Sequence, residues 1–321
     1  MLLSYWLRLV CLVLFSMGVM QITLHLLIRF VMTLAERRVD RMSARFRERI
    51  YFVAPLASHV LALLFSLLVV APQYIRGETN PLRERVGIVC VTGALLVTAR
   101  YLYGLLRAIR FLVQMRCAHR HDEERVVLVG DVKPHICANG YPLLAVVGLF
   151  SPRIVLSQHL LDNAAFSPQL LEIALAHEKA HVHHHDNLKH FVLASLAFSD
   201  LRMEGSLKRW RYAAEQAADD DAVSGSSSRA ILLAETLLVA ARTVSSEGAS
   251  ALSLGLLPHE EELDQRIGRL LQGDSALAPM PTSCWLHMLC ASALLFAGAC
   301  ALVHLFAASL YEWTEYALHL G

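Results

Sequence analysis

The sequence predicts a mainly α-helical membrane protein, in which four transmembrane helices carry an α+β domain inserted between the third and the fourth. Hydrophobic residues make up 55% of the 321 residues, and the mean hydropathy of +0.45 is high for a soluble protein. Four apolar stretches reach the length of about 20 residues that a membrane-spanning helix needs. They are residues 9–28, 51–70, 86–106 and 284–308.

These stretches divide the chain into parts. The first stretch is not followed by a small-residue cleavage site, so we expect a retained span rather than a signal peptide. Arg100 interrupts the third stretch and is expected to extend towards the nearer membrane surface. The predicted parts are a three-span membrane domain at 1–114, a globular domain at 115–283, the fourth span at 284–309 and a short tail at 310–321.

The distribution of arginine predicts the orientation in the membrane. The tail contains Glu312 and Glu315 but no Lys or Arg. The basic segment 29–50, predicted to be a loop, contains Arg29, Arg37, Arg38, Arg41, Arg45, Arg47 and Arg49. The positive-inside rule therefore predicts a multi-pass protein of a bacterial-type inner membrane, with 29–50 and 115–283 in the cytoplasm and both termini outside. The net charge of +1 does not indicate direct nucleic-acid binding, and the basic segment is expected to contact anionic lipid of the bilayer.

Within the globular domain, runs rich in Val, Ile and Leu at 125–130 and 143–157 predict a small β-sheet. The apolar segment 187–203 contains Lys189, His190 and Asp200, so it is predicted to lie on the bilayer surface or to fill the domain core. The Ser/Gly-rich segment 224–228 predicts a flexible break, and 273–283 is a linker to the fourth span. Helices are predicted at 167–186, 207–223, 229–244 and 260–271.

The first of these helices contains the motif H-E-x-x-H at residues 177–181. Residues four apart share one face of a helix, so His177 and His181 can bind one metal ion. Glu178 is then placed to act as a general base on a water activated by the metal. Ser167 as N-cap and Pro168 at the first helical position put the motif in mid-helix. The alternative is an amphipathic helix that carries two histidines by accident.

A third ligand is predicted from the helix at 207–223, where Glu215 and Asp219 are four residues apart. Glu215 would complete a His₂Glu zinc site, and Asp219 would accept the outer ring N–H of a ligand histidine. A solvated acidic face is the alternative, since Asp219 begins a run of three aspartates, and His185 is an alternative ligand. Asp186 is assigned a structural role beside the site. The cysteines form no Cys-x-x-Cys pair and are not candidate ligands.

The spacing His177-Glu178-x-x-His181-x-x-x-x-Asp186-Asn187-Leu188, followed by Glu215-x-x-x-Asp219, resembles the BlaR/MecR-type integral-membrane zinc metallopeptidases. The strings at 148–157 and 264–271 are also similar to that family. The resemblance implies an α+β zincin-like, gluzincin-type catalytic domain that binds Zn²⁺. The family often carries an aromatic-Asn-Pro element between the two motifs, where this chain has Phe198-Ser199-Asp200.

The resemblance further implies a regulatory endopeptidase in transmembrane signalling, which cleaves a cytoplasmic repressor-like protein or itself. The penicillin-binding sensor domain of the best-known members is not expected here, and neither is direct β-lactam sensing. An edge strand of the sheet could hold an extended substrate peptide by strand addition. Two alternatives are an HtpX-like quality-control protease, although residues 182–214 leave little room for the extra spans usual in that family, and a non-catalytic membrane receptor or scaffold with a structural metal.

Overall fold

The computed structural model describes residues 4–77, 87–118, 125–126, 128–129, 131–137, 144–197, 204–247 and 260–273. This part of the chain is mostly helical. Three helical segments are long and apolar enough to cross a membrane, namely Tyr5–Val39, Ala44–Arg76 and Ile88–Arg110. They coincide with the first three predicted spans and support the prediction of a membrane protein. The fourth predicted span at 284–308 and the tail lie outside the described residues.

The three segments pack as a bundle. Helix α1 is Tyr5–Val39, and α2 is Ala44–Phe65, which continues through a π-helical segment, Ser66–Val70, into α3, Ala71–Gly77. Helix α4 is Ile88–Ala118. At Gly18 the absence of a side chain lets α4 approach α1 closely, because an added Cβ would lie 2.5 Å from Cγ2 of Val97. Large apolar side chains such as Leu26 and Leu96 are exposed on the outside of the bundle, as expected for helices surrounded by lipid.

A four-stranded sheet follows the bundle. Strand β1 is Arg125–Val126, β2 is His135–Cys137, β3 is Leu144–Val147 and β4 is Arg153–Ser157. The strand order is β1-β2-β4-β3, with β2 and β4 parallel and the other two pairs antiparallel. The predicted sheet is confirmed, while β2 was not predicted, because three residues carry no periodicity. Strand β3 lies at one edge of the sheet.

Six helices follow the sheet in the described part of the chain. Their bounds are α5 Gln158–Asp162, α6 Pro168–His184, α7 Asp186–Ala197, α8 Glu204–Val223, α9 Ser227–Glu247 and α10 Glu260–Gln272. Of these, α6, α8, α9 and α10 agree with the four predicted helices to within a few residues. Ser224 and Gly225 have positive φ values of 49° and 75°, so the chain breaks between α8 and α9 as predicted. Helix α9 nevertheless begins inside the segment predicted to be flexible.

One apolar core joins the sheet to the helices α6 and α9. Its fully buried members include Leu144, Leu156, Leu175, Leu233 and Leu237. Helix α7 lies outside this core and packs between α4 and α8. An added Cβ at Gly104 of α4 would lie 2.6 Å from the backbone oxygen of Ser195. Residues 187–197 of the apolar segment predicted to lie on the bilayer or in the core therefore fill the space between a membrane helix and α8.

The basic segment 29–50, predicted to be a loop, is mostly helical. Helix α1 continues to Val39 and α2 begins at Ala44, so only residues 40–43 separate them. Two physical reasons account for the difference. Arg, Leu, Ala and Glu are strong helix formers, and the base of α2 is held against α8, where Arg45 pairs with Asp221 and Arg47 donates to Gln216 at 2.6 Å.

Candidate metal centre

Helix α6 positions the H-E-x-x-H motif. The hydroxyl of Ser167 accepts from the backbone N–H of Leu170 at 3.4 Å, and Pro168 is the first helical residue. This N-cap satisfies one of the free N–H groups at the helix start. The helix ends at His185, which adopts the left-handed conformation at φ 55°. The chain therefore turns sharply and starts α7 with Asp186 next to the motif.

His177, His181 and Glu215 converge, with potential ligand atoms within 4.8 Å of one another. The Nε2 atoms of the two histidines are 3.1 Å apart. From Glu215, Oε2 lies 3.4 Å from Nε2 of His177 and Oε1 lies 3.7 Å from Nε2 of His181. Tetrahedral coordination at about 2.0–2.1 Å from a zinc ion would set ligand atoms about 3.3 Å apart. The three side chains therefore fit one metal ion of this size.

The outer nitrogen of each histidine faces a carboxylate. Nδ1 of His177 lies 3.0 Å from Oδ1 of Asp219, and Nδ1 of His181 donates to Oδ2 of Asp186 at 2.7 Å. When both Nδ1 atoms carry the proton, both Nε2 atoms are acceptors. Two acceptors 3.1 Å apart repel each other unless a cation or a proton lies between them. Asp186 thus orients the ring of His181 for metal binding, as is common for ligand histidines, and Asp219 places a negative charge beside Nδ1 of His177.

Arg266 of α10 is a member of the site that the sequence reasoning did not identify. Its guanidinium donates to both carboxylate oxygens of Asp219, at 2.9 and 2.6 Å, and lies 2.9 Å from Oε2 of Glu215. The side chain is fully buried. The only signal in the sequence was its place in the string 264–271 that resembles the metallopeptidase family. Arg266 fixes both carboxylates of the ligand helix at once.

The charges of the site shift its pKa values strongly. Burial alone would raise the pKa of Glu215, but Arg266 and the two histidines outweigh it and hold that pKa at about 2. Burial would lower the pKa of His177, but Asp219 and Glu215 raise it to about 9. The pKa of His181 is also raised, since Glu215 and Asp186 outweigh burial. In the metal-free site the carboxylates therefore favour the protonated form of the histidines, and Arg266 favours the charged form of Glu215.

Glu178 and Glu215 line a cavity of about 390 Å³. Burial raises the pKa of Glu178, which makes its carboxylate a stronger base. The edge strand β3 contributes Ala145 and Val146 to the wall of the cavity. The remaining lining residues are His181, Asp186, Asn187, His190, Trp210, Arg211 and Ala214. A strand edge, the carboxylate of Glu178 and two of the three candidate ligands, His181 and Glu215, therefore line one cavity.

Other polar residues near the motif are placed differently. His185 is exposed and lies outside the ligand group. His184 contacts Asp221 at 3.0 Å and is not among the residues that line the cavity. His190 lines the cavity, and burial lowers its pKa to about 4, so it is neutral. Tyr212 interacts with Gln216 and is not among the residues that line the cavity.

Comparison of the chain with models of known protein families, with curated proteins and with solved structures finds no match.

Proposed function

We propose that the protein is a membrane-embedded zinc-dependent endopeptidase. The observation that carries this proposal is the convergence of His177, His181 and Glu215 beside a cavity whose wall includes Glu178. A His₂Glu set with a neighbouring glutamate is the arrangement that zinc peptidases use for amide hydrolysis. The α1, α2 and α4 helices support placement of the enzyme in a bilayer.

Zinc bound by the three ligands would polarise the scissile carbonyl and make a water molecule more acidic. Glu178 would accept a proton from that water as its oxygen forms a bond to the carbonyl carbon. It would then deliver the proton to the leaving nitrogen as the C–N bond breaks. Asp186, Asp219 and Arg266 would hold the ligands in place throughout. His190 is neutral and lines the same cavity, and its ring N–H would be a candidate donor to the carbonyl oxygen.

The substrate class in this proposal is an extended polypeptide. Strand β3 is an edge strand and lines the cavity, and a peptide can add to such an edge through main-chain hydrogen bonds. Asn187 donates to the backbone oxygens of Val146 and Gly148, at 2.9 and 3.1 Å, and ties the strand to α7. On the resemblance to the BlaR/MecR-type receptors, the substrate is a cytoplasmic repressor-like protein or the chain itself.

The test is metal content and peptide-bond cleavage of the detergent-purified full chain. We expect about one zinc per chain and cleavage of a casein-like substrate or of the chain itself. Glu178→Gln should keep the metal and lose cleavage, whereas Glu215→Ala should lose both. Glu172→Gln is the matched control, because Glu172 is exposed on the same helix. A wild-type chain that binds metal but cleaves nothing would replace the peptidase proposal with a structural metal site in a receptor or scaffold.

A further inference from the structure

The base of membrane helix α2 supplies a buried carboxylate to the region of the metal centre. Glu48 lies four residues after Ala44, the first residue of α2, and its side chain is only 5% exposed. It accepts from Nζ of Lys189 at 2.8 Å and from Nε1 of Trp210 at 3.1 Å. Trp210 belongs to α8, which carries Glu215, and Lys189 belongs to α7, which begins with Asp186 beside the site. A buried carboxylate is costly unless it is paired in this way.

Lys189 connects Glu48 to a metal ligand. Its Nζ atom also lies 3.4 Å from Oδ1 of Asp186. The other oxygen of Asp186 accepts from Nδ1 of His181 at 2.7 Å. A continuous series of charged hydrogen bonds thus runs from α2 through α7 to the face of α6 that would bind the metal.

Trp210 connects Glu48 to the wall of the cavity. The indole ring lies nearly parallel to the ring of His190, with centroids 6.1 Å apart and an interplanar angle of 22°. Both rings line the cavity beside Glu178. One carboxylate on α2 therefore supports the orientation of a ligand and of a residue that faces the substrate space.

We propose that Glu48 is a positioning residue of the metal site, contributed by the membrane helices, so that metal affinity depends on how α2 is seated against α7 and α8. This inference rests on the proposed function. Because energetic coupling is reciprocal, metal binding would in turn strengthen the attachment of α2 to the site. The membrane helices are then part of the catalytic unit as well as its anchor.

The test measures metal affinity of the full chain in lipid nanodiscs by competition with a chromophoric chelator. Glu48→Gln keeps the size of the side chain and removes its charge. We expect roughly a 10-fold loss of zinc affinity, at the lower end of the effect of removing an outer partner of a metal ligand, and a changed visible spectrum of the cobalt-substituted protein. Glu36→Gln is the matched control, because Glu36 also pairs with α8, through Arg209 at 3.2 Å, but is outside the series. The zinc affinity of Glu36→Gln should stay within about 2-fold of that of the wild type.

Lys189→Gln breaks the same series from the side of the site, and carries the test if Glu48→Gln does not fold. We expect it to lower zinc affinity by a similar factor. The double variant should bind zinc no more weakly than the Lys189 variant alone, since the two substitutions act through one path. If the wild type binds metal and Glu48→Gln or Lys189→Gln binds it with unchanged affinity, this inference is overturned and the proposed function is not. A wild-type chain that binds no metal would overturn the proposed function and this inference with it.

Discussion

Replacement of Arg266 by methionine tests the electrostatic basis of the site. Arg266 is fully buried and faces two carboxylates, those of Asp219 and Glu215. Methionine fills a similar volume but cannot balance either charge. Truncating one partner of a buried ion pair costs about 3–5 kcal/mol, because the remaining charge is buried without compensation. We expect a loss of that order in the free energy of unfolding of the metal-free protein.

The pKa of Glu215 gives an independent magnitude for this electrostatic stabilisation. Holding that pKa at about 2 instead of 4.5 corresponds to about 3 kcal/mol of stabilisation of the charged carboxylate. Arg266 is the largest favourable contribution to it. A bound metal would neutralise much of the same negative charge, so the loss should be smaller in the metal-loaded protein. Zinc should therefore raise the melting temperature of Arg266→Met by more than that of the wild type.

Thermal unfolding of the detergent-purified protein, in excess chelator and in excess zinc, measures both effects. Arg242→Met is the control, since Arg242 is exposed on α9 and its loss should change stability by less than about 0.5 kcal/mol. The reasoning is refuted if Arg266→Met and the control melt at the same temperature in chelator. It is also refuted if added zinc stabilises the variant less than the wild type.

Three further outcomes are expected. Asp186→Asn and Asp219→Asn should each lower metal affinity roughly 10–100-fold in a chelator competition, and unchanged affinity would show that these carboxylates do not orient the ligands. Because the pKa of His177 is raised from 6.5 to about 9, its contribution to metal-free stability is fully present below pH 6.5 and is lost as the pH rises to about 9. Melting temperatures in chelator should fall across this window while metal affinity rises; a flat profile would contradict the assigned charges. Gly104→Ala should lower the melting temperature, since its Cβ would lie 2.6 Å from the α7 backbone and overpacking costs about 1–3 kcal/mol. Gly205→Ala, with open space around it, should not lower that temperature.

Features that depend on residues close together in the chain could be predicted from the sequence. The cap Ser167, the proline after it and the spacing of His177 and His181 all act within one helix, so their pattern fixes their geometry. The first three spans were predictable for the same reason, since length and hydropathy are local properties. Glu215 was found by its chemistry and its spacing from Asp219, and the structure brings it to the two histidines.

The rest of the site depends on contacts between residues that are distant in the sequence. Arg266 is 47 residues from Asp219, and Glu48 is 141 residues from Lys189. The sequence offers only a family-like string at 264–271 for Arg266, and no pattern that marks Glu48 among the other charged residues of the chain. The basic segment was predicted as a loop because the positive-inside rule counts charges near a membrane and does not distinguish helix from loop. Its helical form is what brings Glu48 to the site.

The charges that surround the candidate ligands indicate why protons and a metal compete there. The carboxylates of Asp186, Glu215 and Asp219 lie within 4 Å of a nitrogen of His177 or His181. A carboxylate beside an imidazole favours its protonated form, and it equally favours a cation bound at that point. A divalent metal held by neutral imidazoles would supply positive charge there. Without the metal, the carboxylates favour protonation of His177 and His181, which is the direction in which both pKa values are shifted. Metal binding at this site must therefore release protons, and acid must release the metal.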